Sequence, residues 1–264
     1  MPKKFKDLEK RLTKLSSFAV AFSGGVDSTF LLAVSKKINP QQLLAITVSS
    51  QFVPKREIEF AKRIALSIGV KHICLDVDIL GNEDVAGNTL ERCYHCKKQM
   101  FLLIKETAQN LGIKFLLHAV NIDDLKDFRP GLKAAQELDF ISPLVDAEYT
   151  KTDIRLLSRQ LGLETWDKPS QSCLATRIPY DEMIKAVDLI MVDKAESFVQ
   201  DLGFSQVRVR CHGKIARIEV EPGLIDTILK SDNRQKILKE FQKIGFEHTS
   251  IDIAGYKTAA GKLS

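Results

Sequence analysis

The feature that most limits the possible folds of this chain is a regular alternation of apolar runs and helical patterns in its N-terminal half. Short apolar runs predict buried strands at residues 18–22, 43–48, 72–77 and 115–120. Helical periodicity occupies the stretches between them, at residues 29–38, 56–68 and 94–111. This β-α-β-α order predicts an α/β fold with a doubly wound parallel sheet.

The pattern changes after Pro179. A helix is predicted to about residue 202, followed by two strand-like runs at 206–211 and 215–220 that His212-Gly213-Lys214 separates as in a hairpin. A helical stretch at about 224–244 and a last strand at about 250–253 complete the pattern. We therefore expect two domains, a larger one at 1–179 and a smaller α+β domain at 180–264 that binds substrate or supports oligomerisation.

Composition sets broad limits on partners. The chain has 264 residues and a net charge of +5, which suits an anionic ligand without requiring nucleic acid. The basic N-terminus is followed by no uninterrupted apolar segment, so it does not resemble a signal peptide. No run approaches the roughly 18 apolar residues of a membrane span. We expect a cytoplasmic protein without a membrane partner.

The sequence Ser23-Gly24-Gly25-Val26-Asp27-Ser28 stands between the first strand and the first helix. At this position a parallel α/β sheet binds anions, and paired glycines let the backbone approach phosphate oxygens closely. Ser23 and Ser28 offer hydroxyl donors, while ionised Asp27 is better suited to hold Mg²⁺ or to orient the loop. The segment predicts a nucleotide phosphate site, and the alternative is an ordinary turn with a helix cap.

Cys93 and Cys96 form a CxxC pair at the start of a predicted helix, and Cys173 lies in a polar loop. If the loop reaches the pair, three thiolates suit a [4Fe–4S] cluster with one open iron. Zinc, with His95 as a further ligand, and redox-active or free thiols are the alternatives. The remaining cysteines, Cys74 and Cys211, are expected to be packing residues.

These residues resemble those of a known family. The glycine loop matches the PP-loop signature SGGxDS of the N-type ATP pyrophosphatases. Together with four further segments it follows the order seen in the LarE family of ATP-dependent sulfur transferases; the segments are RCYHCKK (92–98), DDLKDFRPGLKAA (123–135), SCLATRIPY (172–180) and VRVRCHGKIARIE (207–219). The resemblance covers nearly the whole chain.

The resemblance implies an activity in the biosynthesis of the nickel-pincer nucleotide cofactor. With ATP and Mg²⁺, such a protein adenylates the carboxylates of pyridinium-3,5-biscarboxylic acid mononucleotide and converts them to thiocarboxylates. Some members sacrifice the sulfur of one cysteine, whereas others carry three cysteines and a [4Fe–4S] cluster that relays an added sulfide. Cys93, Cys96 and Cys173 match the three-cysteine type.

Individual roles follow from the same resemblance. Cys173, Asp27 and Lys97 are the candidate catalytic residues, and Ser49 is expected to contact the adenosine beside the glycine loop. Phosphate of the substrate or pyrophosphate is expected to meet four arginines, which are Arg129, Arg177, Arg208 and Arg210. For each arginine, a solvated or ion-paired surface residue is the alternative.

Other functions remain open at this point. Some PP-loop proteins thiolate tRNA, although no appended RNA-binding module or strong basic tract is visible here. An amide-forming ligase of the NAD synthetase or GMP synthetase kind would need no cysteine trio. The expected partners are a small-molecule nucleotide, ATP and an unidentified sulfur donor, without nucleic acid, and we expect a homo-oligomer.

Overall fold

The computed structural model describes residues 2–126 and 130–256. The chain divides into two compact units, the first made of residues up to 85 together with 90–171, the second of 86–89 together with residues from 172 on. The predicted domain ranges 1–179 and 180–264 stay a prediction about which parts act as domains. Within the described ranges, no helix combines the length and the apolar character that crossing a membrane requires.

The first unit alternates strands and helices from its N-terminus. Its strands are β1 (Ser17–Ala21), β2 (Gln42–Ser49), β3 (Lys71–Asp76) and β4 (Phe115–Leu117). Its helices are α1 (Lys3–Thr13), α2 (Val26–Ile38), α3 (Lys55–Ile68), α4 (Glu83–Ala86, which runs into the second unit), α5 (Arg92–Asn110), α6 (Pro130–Glu137), α7 (Pro143–Asp146) and α8 (Lys151–Gln160).

The strands form a parallel sheet in the order β3-β2-β1-β4. The chain builds outward from β1 to β3 and then returns to place β4 on the other side of β1. This order confirms the predicted α/β fold with a doubly wound parallel sheet. The carboxyl ends of β1 and β4 meet at the point where the strand order reverses, which is where such sheets bind ligands.

The core of the first unit lies on both faces of this sheet. Phe18 and Val20 of β1 are fully buried, as expected for a central parallel strand. Helix α1 buries Phe5, Leu8 and Leu12 at helical spacing and packs against α2. The basic N-terminus thus forms an amphipathic helix with one buried face.

The second unit combines a small mixed sheet with helices. Its strands are β5 (Val207–His212), β6 (Ile215–Val220) and β7 (His248–Ile251), and its helices are α9 (Ala186–Asp201), α10 (Ile225–Leu229) and α11 (Ser231–Ile244). Strands β5 and β6 form the predicted antiparallel hairpin, and β7 pairs with β6 in parallel. Helix α9 packs on β5 and on α11, so the predicted smaller α+β part is confirmed.

One prediction about a helix was wrong in detail. The stretch 224–244 is broken at Lys230, whose extended backbone separates α10 from α11. In the segment 123–135, Pro130 is the first residue of α6. Proline is well tolerated at the first position of a helix because its missing N–H is not needed there.

Candidate functional site

The glycine loop at residues 23–28 connects β1 to α2. Gly24 has a φ of +68°, a backbone conformation that favours glycine. A Cβ built on Gly24 would lie 3.0 Å from Ala61 Cα of α3, so a side chain at this position would force the loop or the helix to shift. Both features require glycine at position 24.

The two serines of the loop close it by hydrogen bonds. Ser28 Oγ donates to the carbonyl of Gly25 at 3.2 Å and accepts from the backbone N–H of Ser23 at 3.3 Å. Ser23 Oγ accepts from the N–H of Gly25 at 3.3 Å and lies 3.1 Å from Ser28 Oγ. The hydroxyls therefore fix the shape of a loop that surrounds the start of α2.

The start of α2 is suited to an anion. Gly25 is the N-cap residue and has no capping side chain, so the first N–H groups of the helix receive no side-chain partner from it. These N–H groups and the helix dipole favour negative charge at this end. The local geometry is what the predicted phosphate site requires.

Asp27 lies in the first turn of α2 and both of its carboxylate oxygens are hydrogen-bonded. Lys151 Nζ donates to Oδ2, and Asn121 Nδ2 donates to Oδ1 at 3.3 Å. Burial raises the pKa of Asp27 above its usual value, while Lys151 and Asn121 oppose that rise. The loop thus has an ion pair at its edge, made by residues that the sequence analysis did not single out.

Lys168 is a second lysine at the glycine loop. Its Nζ donates to Glu57 at 2.8 Å and to the carbonyl of Gly24 at 3.4 Å, and it lies 3.4 Å from the ring centroid of Phe60. Burial lowers the pKa of Lys168, although its ion pair with Glu57 opposes this. The side chain connects the loop to α3 and brings a positive charge to the phosphate site.

Ser49 is the last residue of β2 and is half-buried. Because β2 is the parallel neighbour of β1, Ser49 lies at the same edge of the sheet as the glycine loop. This placement is compatible with the predicted adenosine contact, which stays a prediction.

Cys93 and Cys96 lie in the first turn of α5. Cys93 is half-buried and Cys96 is buried, and neither forms a disulfide. Arg92 Nη2 lies 4.0 Å from Cys93 Sγ. Cys93 therefore lies at a helix start and beside a guanidinium.

Lys97 is exposed on the same helix and lies against α6. A Cβ on Gly131 would lie 2.8 Å from Lys97 Cγ, so α6 passes close to the lysine stem. Its Nζ lies 5.7 Å from the ring centroid of Phe101, and no ion pair of Lys97 is found within residues 2–126 and 130–256. The charge of Lys97 is therefore available to a ligand, as its predicted role requires.

His118 follows β4 and is buried. Burial, and secondarily the charge of Lys97, lower its pKa to about 4. Its Nε2 is hydrogen-bonded to Ser142 Oγ, and its ring packs edge-on to Phe101 and Phe140. A neutral imidazole thus fills the space between α5 and the end of β4.

In the second unit, Cys173 is the N-cap of a single 3-10 turn, Leu174–Arg177. The carbonyl oxygen of Cys173 accepts from Thr176 N at 3.1 Å, from Thr176 Oγ1 at 2.9 Å and from Arg177 Nη1 at 3.1 Å. Its thiol is half-exposed and has no hydrogen-bond partner among the residues that the structure describes. The backbone is held while the sulfur remains accessible.

Arg177 is the centre of this arrangement and is buried. Its Nε and Nη2 donate to the two carboxylate oxygens of Glu196 at 2.7 and 2.9 Å, and its Nη1 donates to oxygens of Ser172, Cys173 and Thr176. Glu196 Oε1 also accepts from the N–H of Val209 at 2.9 Å. These contacts tie the Cys173 segment to α9 and β5, and the predicted phosphate contact of Arg177 stays a prediction.

Arg208 and Arg210 are alternate residues of β5 and therefore lie on one face of it. Arg210 forms a bidentate pair with Glu219, at 2.9 and 3.0 Å, and also donates to the carbonyl of Thr176. Arg208 lies 5.2 Å from the ring centroid of Tyr256, and burial together with the charge of Arg177 lowers its pKa. The second unit thus gathers three arginines around the 3-10 turn.

Some predicted site residues cannot be placed together. Arg129 lies outside the described residues, so its predicted phosphate contact stays a prediction. Cys93 and Cys96 belong to the first unit and Cys173 to the second. Within either unit, the described residues contain no group of three or more His, Cys, Asp or Glu side chains placed to hold a metal ion.

Comparison with known proteins agrees with this geometry. The profile of the PP-loop domain matches residues 1–128. An uncharacterised protein of Synechocystis sp. is 36% identical over 261 residues, which cover 99% of this chain and 97% of that protein. The pyridinium-3,5-bisthiocarboxylic acid mononucleotide synthase of Lactiplantibacillus plantarum is 32% identical over 248 residues, which cover 94% of this chain and 89% of that enzyme.

A more distant similarity involves a different activity. The tRNA-specific 2-thiouridylase MnmA of Rickettsia rickettsii is 27% identical over 223 residues, which cover 70% of this chain and 60% of that protein. The Synechocystis and Lactiplantibacillus proteins are instead matched over 97% and 89% of their lengths. Together with the glycine loop that carries the phosphate-site geometry, these matches show that the chain belongs to the LarE family of PP-loop ATP pyrophosphatase enzymes.

Proposed function

We propose that this protein adenylates the carboxylates of pyridinium-3,5-biscarboxylic acid mononucleotide and converts them to thiocarboxylates. The observation that carries the proposal is the glycine loop at the start of α2 in a chain that is similar to a named pyridinium-3,5-bisthiocarboxylic acid mononucleotide synthase over 94% of its length. The product would enter the biosynthesis of the nickel-pincer nucleotide cofactor.

In the first step, a carboxylate oxygen of the substrate attacks the α-phosphorus of ATP, and pyrophosphate leaves with the electron pair of the broken P–O bond. The chain contributes mainly position and charge to such a step. The glycine loop at Gly24 and Gly25 and the first N–H groups of α2 would bind phosphate oxygens, with Ser23 and Ser28 holding the loop in shape. Ser49 would contact the adenosine.

Mg²⁺ fits the residues present, because Asp27 offers a partly buried carboxylate next to the phosphate site. Mg²⁺ in enzymes of this kind is commonly held by one or two carboxylates together with substrate phosphates, and it neutralises charge on the leaving pyrophosphate. Asp27 would hold it here, and Lys168 would add positive charge from the other side of the loop.

In the second step, sulfur attacks the carbonyl carbon of the acyl adenylate and AMP leaves. Cys173 is the proposed catalytic residue, since its thiol is half-exposed while hydrogen bonds hold its backbone. Lys97 is proposed to stabilise negative charge during transfer. Arg208 and Arg210, with Arg129 and Arg177, are proposed to bind the phosphate of the substrate or pyrophosphate.

Cys93, Cys96 and Cys173 are proposed to bind a [4Fe–4S] cluster. The donor set fits, because all three are free cysteines and Cys93 lies at a helix start beside a guanidinium. Such a cluster would supply an open iron that carries the sulfide to be transferred. In that form Cys173 remains intact. In the sacrificial form its thiol would form a thioester as AMP leaves, and elimination of the Cα proton with cleavage of the Cβ–S bond would release the thiocarboxylate and leave dehydroalanine at residue 173.

The setting of this activity also remains a proposal. We expect a cytoplasmic homo-oligomer in which residues 1–179 act on ATP and residues 180–264 bind the substrate or support assembly. The sulfur donor is unidentified, and nucleic acid is not an expected partner.

A second candidate, tRNA thiolation, is favoured only by the similarity to MnmA, at 27% identity over 70% of the chain. It predicts tRNA binding that weakens steeply as salt increases. An amide-forming ligase, the remaining alternative, would keep its activity when Cys173 is replaced.

The proposal is tested with a substrate whose carboxylates carry heavy oxygen. Attack by the carboxylate on the α-phosphorus and later departure of AMP leave one heavy oxygen in AMP. In the presence of this substrate, we expect AMP that carries one heavy oxygen, together with unlabelled pyrophosphate. Formation of ADP, unlabelled AMP, or AMP that appears only with tRNA would contradict the proposal.

A further inference from the structure

The ion pair between Asp27 and Lys151 lies next to the glycine loop, and its partners come from distant parts of the chain. Asp27 belongs to the first turn of α2, and Lys151 is the first residue of α8. With Asn121 bonded to the other oxygen, both oxygens of the Asp27 carboxylate are satisfied by the chain itself. No ligand is needed to balance this carboxylate.

Because the Asp27 carboxylate is largely buried, the ammonium group of Lys151 is important while no ligand is bound. The Asp27 side chain is only 19% exposed and that of Lys151 30% exposed. Removing one partner of such a pair leaves a carboxylate that has lost much of its water and has no compensating charge. A positive charge must therefore lie beside Asp27 before any metal ion does.

Hydrogen bonds fix the backbone of Lys151, whereas its side chain is held by hydrogen bonding at Nζ alone among the described residues. Its N–H donates to Asp123 Oδ2 at 2.9 Å, and the preceding Thr150 forms a capping box with Asp153. In the described part of the chain, Asp27 is the only hydrogen-bond partner of Lys151 Nζ. A lysine ammonium on four flexible carbons can change partner without any change in the backbone.

We propose that Lys151 is an exchangeable counter-ion of Asp27. It neutralises the carboxylate while the loop is empty, yields it to Mg²⁺ when a triphosphate enters, and then donates to phosphate oxygens. The inference rests on the proposed function, because it assigns Lys151 to the adenylation step, and neither Lys151 nor its exchange is implied by the glycine loop alone.

This role gives Lys151 opposite effects on metal binding in the absence and in the presence of nucleotide. Without nucleotide, the ammonium competes with a metal ion for Asp27 and weakens metal binding. With nucleotide, the displaced ammonium gains phosphate partners, so metal and nucleotide strengthen each other's binding. A residue that only supported the fold would not produce this change of sign.

The test is titration of the full chain with Mn²⁺, a spectroscopically visible substitute for Mg²⁺, with and without an ATP analogue whose α,β-bridge is methylene. Lys151→Gln retains an amide donor to Asp27 but loses the charge, and should bind Mn²⁺ alone roughly 5- to 10-fold more tightly. The factor by which Mn²⁺ and the analogue raise the affinity for each other should fall by about tenfold. Lys151→Arg keeps the charge, and its affinities for Mn²⁺ should stay near those of the unaltered chain.

Lys126→Gln is the matched control. Lys126 also pairs with an aspartate, Asp123 at 2.9 Å, but this pair is more exposed (71% and 40%) and Lys126 does not contact Asp27. It should change Mn²⁺ affinity by less than about twofold. Lys151→Gln with an unchanged or weakened affinity for Mn²⁺ alone, or with the same effect as Lys126→Gln, would overturn the proposal.

If Lys151→Gln fails to fold, a crystal structure of the unaltered chain with Mg²⁺ and the analogue decides. We expect Lys151 Nζ on a phosphate oxygen, and an intact Lys151–Asp27 bond would overturn the exchange. The two proposals fail separately: an unaltered chain that forms no AMP contradicts the proposed function, whereas normal AMP formation with a failed Mn²⁺ result contradicts only the counter-ion.

Discussion

Gly24 lies so close to Ala61 that a side chain on residue 24 would force the glycine loop or α3 to shift. The distance from a Cβ at residue 24 to Ala61 Cα would be 3.0 Å, and the φ of residue 24 is +68°. Backbone conformation and close approach therefore act on the same residue, and the loop can follow its path only with glycine there.

Gly24→Ala should destabilise the fold through both effects. Gly112→Ala is the matched control, because Gly112 has a φ of +70° but nothing within 4 Å of an added Cβ. We expect about 1 kcal/mol of destabilisation for Gly112→Ala, from backbone strain alone, and at least about 1 kcal/mol more for Gly24→Ala. Urea unfolding measures both, and equal losses would contradict the close approach.

Arg177→Met should destabilise the protein strongly, because it leaves Glu196 buried without its guanidinium partner. The expected loss is about 3–5 kcal/mol of unfolding free energy. Arg217 also contacts a glutamate, Glu219 at 3.2 Å, but its side chain is 40% exposed, so Arg217→Met should cost under about 1 kcal/mol. Similar losses in the two variants would show that Arg177 does not have the buried structural role described.

His118 should make stability depend on pH. Its pKa is about 4 in the folded chain and about 6.5 in the unfolded chain, so the unfolded state binds more protons between these values. This contribution is complete above about pH 6.5 and is lost as the pH falls towards 4, by up to about 1.4 kcal/mol per pH unit.

His118→Gln should therefore flatten the fall in unfolding free energy between pH 6.5 and 4, measured by urea unfolding at several pH values. The exposed His212 provides a control for loss of an imidazole, and His212→Gln should retain the original slope. An unchanged slope in His118→Gln would mean that this imidazole is not kept neutral by burial.

The proposed cluster predicts the metal content. Protein purified without oxygen should be brown and contain about four irons per chain. Replacing Cys93, Cys96 or Cys173 by serine should lower the iron content, whereas Cys74→Ser, in the half-buried edge strand β3, should retain it. Colourless protein that contains zinc and no iron would contradict the cluster assignment.

Local signals explain which parts of the site the sequence could predict. The glycine loop was predictable because its function depends on residues that are adjacent in the chain, between an apolar strand and a helix. The parallel sheet followed from apolar runs at regular intervals along the chain.

Long-range partners could not be predicted in this way. Lys151 is separated from Asp27 by 124 positions, and Lys168 from Gly24 by 144. Nothing in the local pattern around either lysine distinguishes it from a solvated surface charge. Arg177 was recognised as a candidate site residue, but its bidentate pair with Glu196 depends on how the 3-10 turn, α9 and β5 pack together.

The most direct test of the central claim is an anaerobic reaction of the biscarboxylated pyridinium nucleotide with ATP and Mg²⁺, followed by mass spectrometry of product and protein. The unaltered protein should form AMP and a thiocarboxylate, whereas Cys173→Ala should form AMP, through adenylation, but no thiocarboxylate. Thiocarboxylate formed by Cys173→Ala, or loss of AMP and thiocarboxylate together in that variant, would contradict the separate roles assigned to the glycine loop and Cys173.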